Sequence, residues 1–134
     1  LTGYGNTPSY TFLDIELDGD IDIIATSVMA PLAIYINQGA TGNSISFELR
    51  DHIGNHFCIG CKVIIEYDNK SKHQVRELKL SGGFLSFDNP VMYFGLGKEV
   101  YVNSVKVIWS TGEELEVNQE FLANRRYKIV RQVP

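Results

Sequence analysis

Residues 14 to 23 read DIELDGDIDI and set an acid at every second position: Asp14, Glu16, Asp18, Asp20 and Asp22. No Lys or Arg precedes Arg50 to neutralise them. As a plain alternating strand, with Ile15, Leu17, Ile21 and Ile23 on the other face, the stretch would line one face with like charges, and Asp is a poor strand former. Asp18-Gly19 is also a turn signal. The middle is therefore expected to be a loop, and its chemistry suits a hard cation. Calcium takes about six to eight oxygen ligands, mainly carboxylates and carbonyls. A loop with side chains at positions 1, 3, 5 and 9 and a backbone carbonyl at 7 can wrap one ion. Here those are Asp14, Glu16, Asp18 and Asp22, with the Asp20 carbonyl between them, and Gly19 at position 6 permits the sharp turn. An EF-hand needs Glu at position 12, where Ala25 stands, and flanking helices, which are not read here. Calcium is the expected cofactor, with magnesium or no metal as the alternatives.

Three further constellations carry weaker chemistry. His52, His56, Cys58 and Cys61 offer a zinc-type donor set, but all four fall in one short stretch with no second segment to close the site. A redox Cys-x-x-Cys pair uses a helix N-terminus to lower the thiol pKa, whereas this one leads into a strand. The expectation is two small, partly buried thiols at a turn-to-strand junction, able to oxidise together if the protein is secreted. In SGGFLSFDNP, Phe84, Ser86, Phe87 and Asp88 mix aromatic and polar groups as a sugar or peptide site does. The alternative is a structural turn, with Gly82 and Gly83 supplying the backbone angles and the aromatics capping the core. FGLG, residues 94–97, reads as a strand end and turn, because it lacks GxGxxG spacing and a following helix. No catalytic residues are read: there is no GxSxG, no HExxH and no nucleophile–base pair. Glu113, Glu114 and Glu116 are explained by solvation. Asn69-Lys70-Ser71 is an N-glycosylation sequon, meaningful in a eukaryotic secretory context.

The elements that must position these groups are strands. YTFLDI, DIIATS, PLAIYIN, SISFELR, CKVIIEY, HQVRELKL, PVMYFGL, SVKVIWS, EELEV and RYKIVRQ are short, rich in Ile, Val, Tyr and Phe, and separated by turn residues. Alternation puts Val105, Val107 and Trp109 on one face. One helical turn is expected over 118–124, NQEFLAN. Many short strands at regular spacing predict a sandwich or barrel. A boundary is expected in NQGATGNS, residues 37–44, dividing a small acidic β segment, residues 1–40, from a β domain, residues 44–134. Residues 1–49 hold six acids and no Lys or Arg; residues 50–134 hold twelve bases and ten acids. Neither part has the positive field of a nucleic-acid binder. No apolar run approaches the ~20 residues of a membrane helix.

Two families are resembled. FLDIELDGDIDIIAT is similar to the calcium loop of FG-GAP/VCBS repeats, the blades of integrin-type propellers. Phe12, Asp14, Asp18, Gly19, Asp22 and Ile23 fit, Glu16 stands for the usual Asp or Asn, and Leu17 for a frequent Gly. PLAIYINQG resembles the strand closing such a repeat. The remainder resembles the ASPIC/UnbV domain of the cartilage acidic protein-like family and of many secreted bacterial proteins, through IGCKVIIEY, QVRELKLSGGFLSFDNPVMYFGLG, VNSVKVIWSTGEELEV and LANRRYKIV. Ser110-Thr111 replaces the usual Pro-Ser. The resemblance implies an all-β chain: a β-sandwich, immunoglobulin-like or similar, with an N-terminal β-hairpin remnant of a propeller blade. It implies a secreted or cell-surface, non-catalytic, calcium-binding adhesion or interaction module. Its partner would be an extracellular protein or glycan, and its exposed strand edge would favour a homodimer. The rivals are a carbohydrate-recognition module of a secreted degradative system and a thiol-redox or zinc protein. Because the chain begins at Leu1 and such propellers have several blades, it is expected to be a piece of a longer protein.

Overall fold

The structure is a computed structural model and describes residues 9–28, 30–39, 41–52 and 54–132. Leu1, and Ala40 of the boundary stretch, lie outside the described residues. The chain forms strands and no helix among the described residues, and its sheets do not close into a barrel. Contacts divide it into two units. One takes the described residues of Leu1–Ala40 and Leu80–Asn89; the other takes those of Thr41–Lys79 and Pro90–Pro134.

The first unit is a three-stranded antiparallel sheet in the order β1 (Ser9–Leu13), β2 (Asp22–Thr26), β3 (Ala33–Tyr35). The acidic stretch is the connection between β1 and β2, so it is a loop, as its turn signal requires.

The second unit is a sandwich of two sheets. The smaller has the order β11 (Arg125–Val130), β4 (Asn43–Arg50), β7 (Val91–Gly97). The larger runs β10 (Phe121–Leu122), β8 (Tyr101–Ile108), β5 (Lys62–Tyr67), β6 (Lys72–Glu77), with β9 (Glu114–Val117) also paired to β8. Every pairing is antiparallel except β4 with β11, which is parallel. Period-two patterning supplies the core: Ile45, Phe47 and Leu49 from β4, and Met92, Phe94 and Leu96 from β7, lie between the sheets. Val63, Ile65, Val105 and Val107 face them, and Trp109 continues the expected alternation as a buried residue. The pairing of β5 with β8 slips where Glu66 meets Ser104 and Tyr67 meets Val102, so Val102 also turns inward although it is three residues from Val105. Phe47 is the aromatic centre, with ring centroids 5.9 Å from those of Phe94, Phe121 and Tyr127.

The expected helical turn over 118–124 is absent, and the stretch holds the two-residue strand β10 instead. Phe121 is buried against Phe47 and pairs with Val102. A single turn of helix is too short to hold itself together, and core burial of one aromatic decides the outcome. The loop 80–89 also departs from expectation. It groups with the first unit, where the backbone N–H of Phe12 donates to Asp88 Oδ1 at 2.9 Å.

Both ends of the parallel β4–β11 ladder are clamped. At one end Asn124, at a positive φ of 58°, accepts from the Ser44 N–H at 3.0 Å through Oδ1 and donates to Asn43 Oδ1 at 2.8 Å. At the other, the guanidinium of buried Arg131 donates to Asp51 Oδ2 at 2.9 Å and to Thr111 Oγ1 at 3.0 Å, pairs with Glu113, and lies 5.5 Å over the Trp109 ring. The turn that presents these groups closes at Gly112, whose N–H bonds the Trp109 carbonyl at 2.8 Å with φ at 92°. Asp51 is 2% exposed, so removing its cation strands a buried charge. Arg131→Met is expected to lower stability by about 3–5 kcal/mol, read by urea unfolding. Glu113→Gln, at the solvent-exposed contact, is expected to change it by less than about 1 kcal/mol.

Candidate functional site

The β1–β2 loop is built around its own carboxylates. Asp14, buried at the end of β1, accepts the N–H of Asp18 at 3.1 Å through Oδ1 and of Gly19 at 3.3 Å through Oδ2. Asp18 accepts the N–H of Asp20 at 3.0 Å. Asp22, 1% exposed at the start of β2, accepts the N–H of Ile15 at 2.7 Å and of Asn37 at 2.8 Å, one on each oxygen. A carboxylate taking two backbone N–H groups satisfies donors that a tight loop otherwise leaves orphaned. Asp22 thus ties the loop to the chain leaving β3. Leu17 and Gly19 both take positive φ, 60° and 96°. Leu17 therefore holds a backbone conformation that suits Gly, and Gly is frequent there in the resembled repeat.

For a cation, the donor chemistry fits: five carboxylates within nine residues, on a loop already folded about Asp14. The side chains do not yet converge. Among the described residues no three His, Cys, Asp or Glu side chains are grouped closely enough to hold a metal ion. Glu16 and Asp18 project into solvent, and Asp20 is half-buried.

The thiol reading changes. Cys58 and Cys61 are not partly buried thiols but a fully buried disulfide. The pair closes a tight turn in which Asn55 donates to the Ile59 carbonyl at 2.8 Å and accepts the Ile59 N–H at 2.9 Å. The backbones of Gly60 and Cys61 pair with Leu78. The same bond overturns zinc binding by His52, His56, Cys58 and Cys61, because both sulfurs are taken and neither is a thiolate; the two histidines are exposed. A buried disulfide with no accessible sulfur also does not suit thiol exchange.

In the 80–89 loop, Phe84 and Phe87 are exposed, whereas Ser86 is buried and Asp88 is engaged at β1. A Cβ at Gly82 would run into the Asp88 carboxylate, so glycine lets the loop fold back on itself. On the outer face of the larger sandwich sheet lies a shallow cleft of ≈ 230 Å³ lined by Ile64, Glu66, Ser104, Lys106 and Glu116. Its charged groups are already committed. Ser104 donates to Glu66 at 2.7 Å, and Glu114, 2.6 Å from Lys106, holds that amine above its usual pKa. A firmly protonated lysine is no nucleophile. Asn69 is exposed in the β5–β6 turn, beside Asp68, whose carboxyl Lys72 and Ser71 hold below the usual range.

A family model described as ASPIC and UnbV matches residues 52–133, more than half of the chain. This chain belongs to the ASPIC and UnbV family. The relatives include cartilage acidic protein 1 of Homo sapiens, 34% identical over 109 residues that cover 78% of this chain. The Mus musculus protein is 34% identical over 104 residues and 75% of the chain, and the Xenopus tropicalis protein 33% over 104 residues and 75%. The chain spans 16% of the length of each. The 78% coverage is wider than the ASPIC and UnbV match, so the likeness to the human protein reaches residues before 52.

Sequence reasoning missed the structural residues of this ASPIC and UnbV chain that lie far apart, Asp51 with Arg131 and Phe12 with Asp88. No local pattern marks them. The disulfide gives the clearest check. Cys58→Ala/Cys61→Ala opens a short loop and is expected to cost about 2 kcal/mol in urea unfolding. Thiol counting of the unreduced native chain in denaturant is expected to find no free thiol.

Proposed function

We propose that this chain is a non-catalytic extracellular interaction module whose first unit is stiffened by calcium in the β1–β2 loop. The observation that carries the reading is the loop itself: buried Asp14 and Asp22 already hold it in a turn, and Glu16, Asp18 and Asp20 lie on that same short loop. Asp14, Glu16, Asp18, Asp20 and Asp22 would hold the ion. When bound it would supply positive charge that offsets their mutual repulsion. The resemblance of residues 12–39 to an FG-GAP/VCBS repeat supports the same loop. Membership of the ASPIC and UnbV family, relatives named for cartilage and for acidity, and a buried disulfide of the kind that persists in oxidising compartments support an extracellular setting.

Glycan recognition is the second reading, and the exposed rings of Phe84 and Phe87 favour it. A sugar site also needs polar groups aimed outward beside the rings. Here Ser86 is buried and Asp88 is bonded to β1, so the loop offers mainly apolar surface. That favours a protein partner.

The test is calorimetric calcium titration of metal-stripped protein, with a melting curve on each side. One ion per chain is expected, with an affinity in the range of extracellular modules, roughly 10⁻⁴–10⁻³ M. Asp18→Ala is expected to abolish the heat without unfolding the chain. Calcium at a hundredfold excess over its Kd is expected to add about 2.7 kcal/mol to the stability of whatever unfolds with the loop. No heat and no shift in melting temperature would remove calcium from the reading.

A further inference from the structure

We propose that the outer face of the smaller sandwich sheet is a binding site for an acidic polysaccharide, whose sulfate or carboxylate groups meet a cluster of cations there. The inference goes beyond the interaction-module reading and rests neither on calcium nor on the 80–89 loop. While β4 turns Ile45, Phe47 and Leu49 into the core, it turns Ser46, Glu48 and Arg50 outward. The register then sets Arg126, Ser46 and Tyr93 in one outward row, Lys128, Glu48 and Val91 in the next, and Val130 with Arg50 in a third. Successive rows lie roughly 7 Å apart. Arg76, on the edge strand β6, reaches across to the Tyr93 carbonyl at 3.4 Å and completes the cluster. Four cations thus share these rows with one carboxylate, Glu48, which pairs with both Arg50 and Lys128.

The guanidinium groups are set over neutral partners. Arg126 donates to Ser46 Oγ at 3.4 Å and to the Tyr93 hydroxyl at 3.1 Å, and its central carbon lies 5.8 Å from the Tyr93 ring centre. Arg50 lies 4.9 Å over the ring of Phe57. A guanidinium has five N–H donors, so contacts of this kind fix its plane without exhausting it. The other sheet is different. Lys62, Lys70, Lys72 and Lys106, on the larger sheet and its β5–β6 turn, each stand beside a carboxylate of their own: Glu77, Glu66, Asp68 and Glu114.

The sign of the charge selects the occupant. Protection of the β11 edge needs charge of either sign, so it does not explain why Arg50, Arg76, Arg126 and Lys128 are all cations. A neutral surface laid over them would strand their charge, so whatever dries this face has to be anionic. Duplex nucleic acid carries a charge every ~1.7 Å of its axis, and four cations are few against it. A lipid surface also needs an apolar anchor, and these rows offer only Val91 and Val130. A chain of sugar rings with anionic groups spaced along it meets both features of the face, since its anions pair with the cations and its rings pack on Tyr93 and Phe57.

The experiment titrates the full chain into labelled heparin in the presence of chelator, followed by fluorescence anisotropy, with neutral dextran and duplex DNA as comparison ligands. Heparin is expected to bind with an affinity that falls as salt rises, dextran not to bind, and DNA to bind at least about tenfold more weakly. Arg126→Gln/Lys128→Gln is expected to weaken heparin binding about tenfold or more, and the charge-matched Lys62→Gln/Lys106→Gln on the other sheet less than about twofold. Lys128→Gln alone, at an exposed side chain, is expected to weaken it about threefold, and decides the matter if the double variant unfolds. No binding of heparin, duplex DNA bound as tightly as heparin, equal losses in the two double variants, or binding only when calcium is added would overturn the proposal. Heparin binding that fails while calcium still binds would sink this inference and leave the calcium loop standing. Heparin binding in chelator with no calcium heat would do the reverse.

Discussion

The sandwich depends on one pairing that is costly to make: β4 with β11. These strands lie some eighty residues apart in sequence and pair in parallel, so no hairpin brings them together. Closing so long a loop is paid in chain entropy before any contact returns it. The clamps at the two ends explain how the register is then kept. Asn124 fastens Asn43 and Ser44, and Arg131 fastens Asp51 after its own N–H has bonded the Arg50 carbonyl at 2.9 Å. Between them Phe47 and Tyr127 stack across the ladder, so polar ends and an aromatic middle specify the same alignment. The Trp109–Glu113 turn belongs to this device, because it supplies the ring beneath Arg131 and the Thr111 hydroxyl beside it. Ser110-Thr111, where the resembled family has Pro-Ser, keeps a hydroxyl at the second position.

The same economy of side chain for backbone recurs where strands end. β6 and β7 are edges of different sheets, and side chains bridge them: Gln74 Nε2 donates to the Gly95 carbonyl at 2.7 Å and Arg76 Nε to the Tyr93 carbonyl at 3.4 Å. Two acceptors that would invite another strand are thereby occupied. At the other edge of the smaller sheet, β11 carries Arg125, Arg126 and Lys128, charges that discourage edge-to-edge pairing. In the first unit, Asp88 takes one outward N–H of β1 at Phe12. These two sandwich edges, β6–β7 and β11, are therefore guarded against strand addition.

Much of this was legible in the residues. Period-two runs located the sandwich strands, because burial between two sheets writes itself into alternate positions, as at Val105, Val107 and Trp109. Asp18-Gly19 located the loop between β1 and β2. What escaped had a common cause. NQEFLAN has local helix character, and only the distant Phe47 and Val102 make Phe121 a strand residue. Cys58 and Cys61 are separated by three positions, a spacing shared by metal sites, redox pairs and structural turns. The fold decides among these by placing both sulfurs in the core. The candidate metal loop was legible as a set of donors. Its present bonding was not, because nothing local says that the oxygens of Asp22 go to Ile15 and Asn37.

The assignment of Leu80–Asn89 changes how the first unit should be regarded. Three short strands cannot bury a core of their own. Their unit also takes in Leu80–Asn89, tied to β1 by the bond from the Phe12 N–H to Asp88. Leu78 pairs through its backbone with Gly60 and Cys61, and β7 begins at Val91. The anchors of the loop are thus the disulfide turn on one side and the central strand pairing of β4 with β7 on the other. Within its own unit the loop caps the edge of β1 through Asp88.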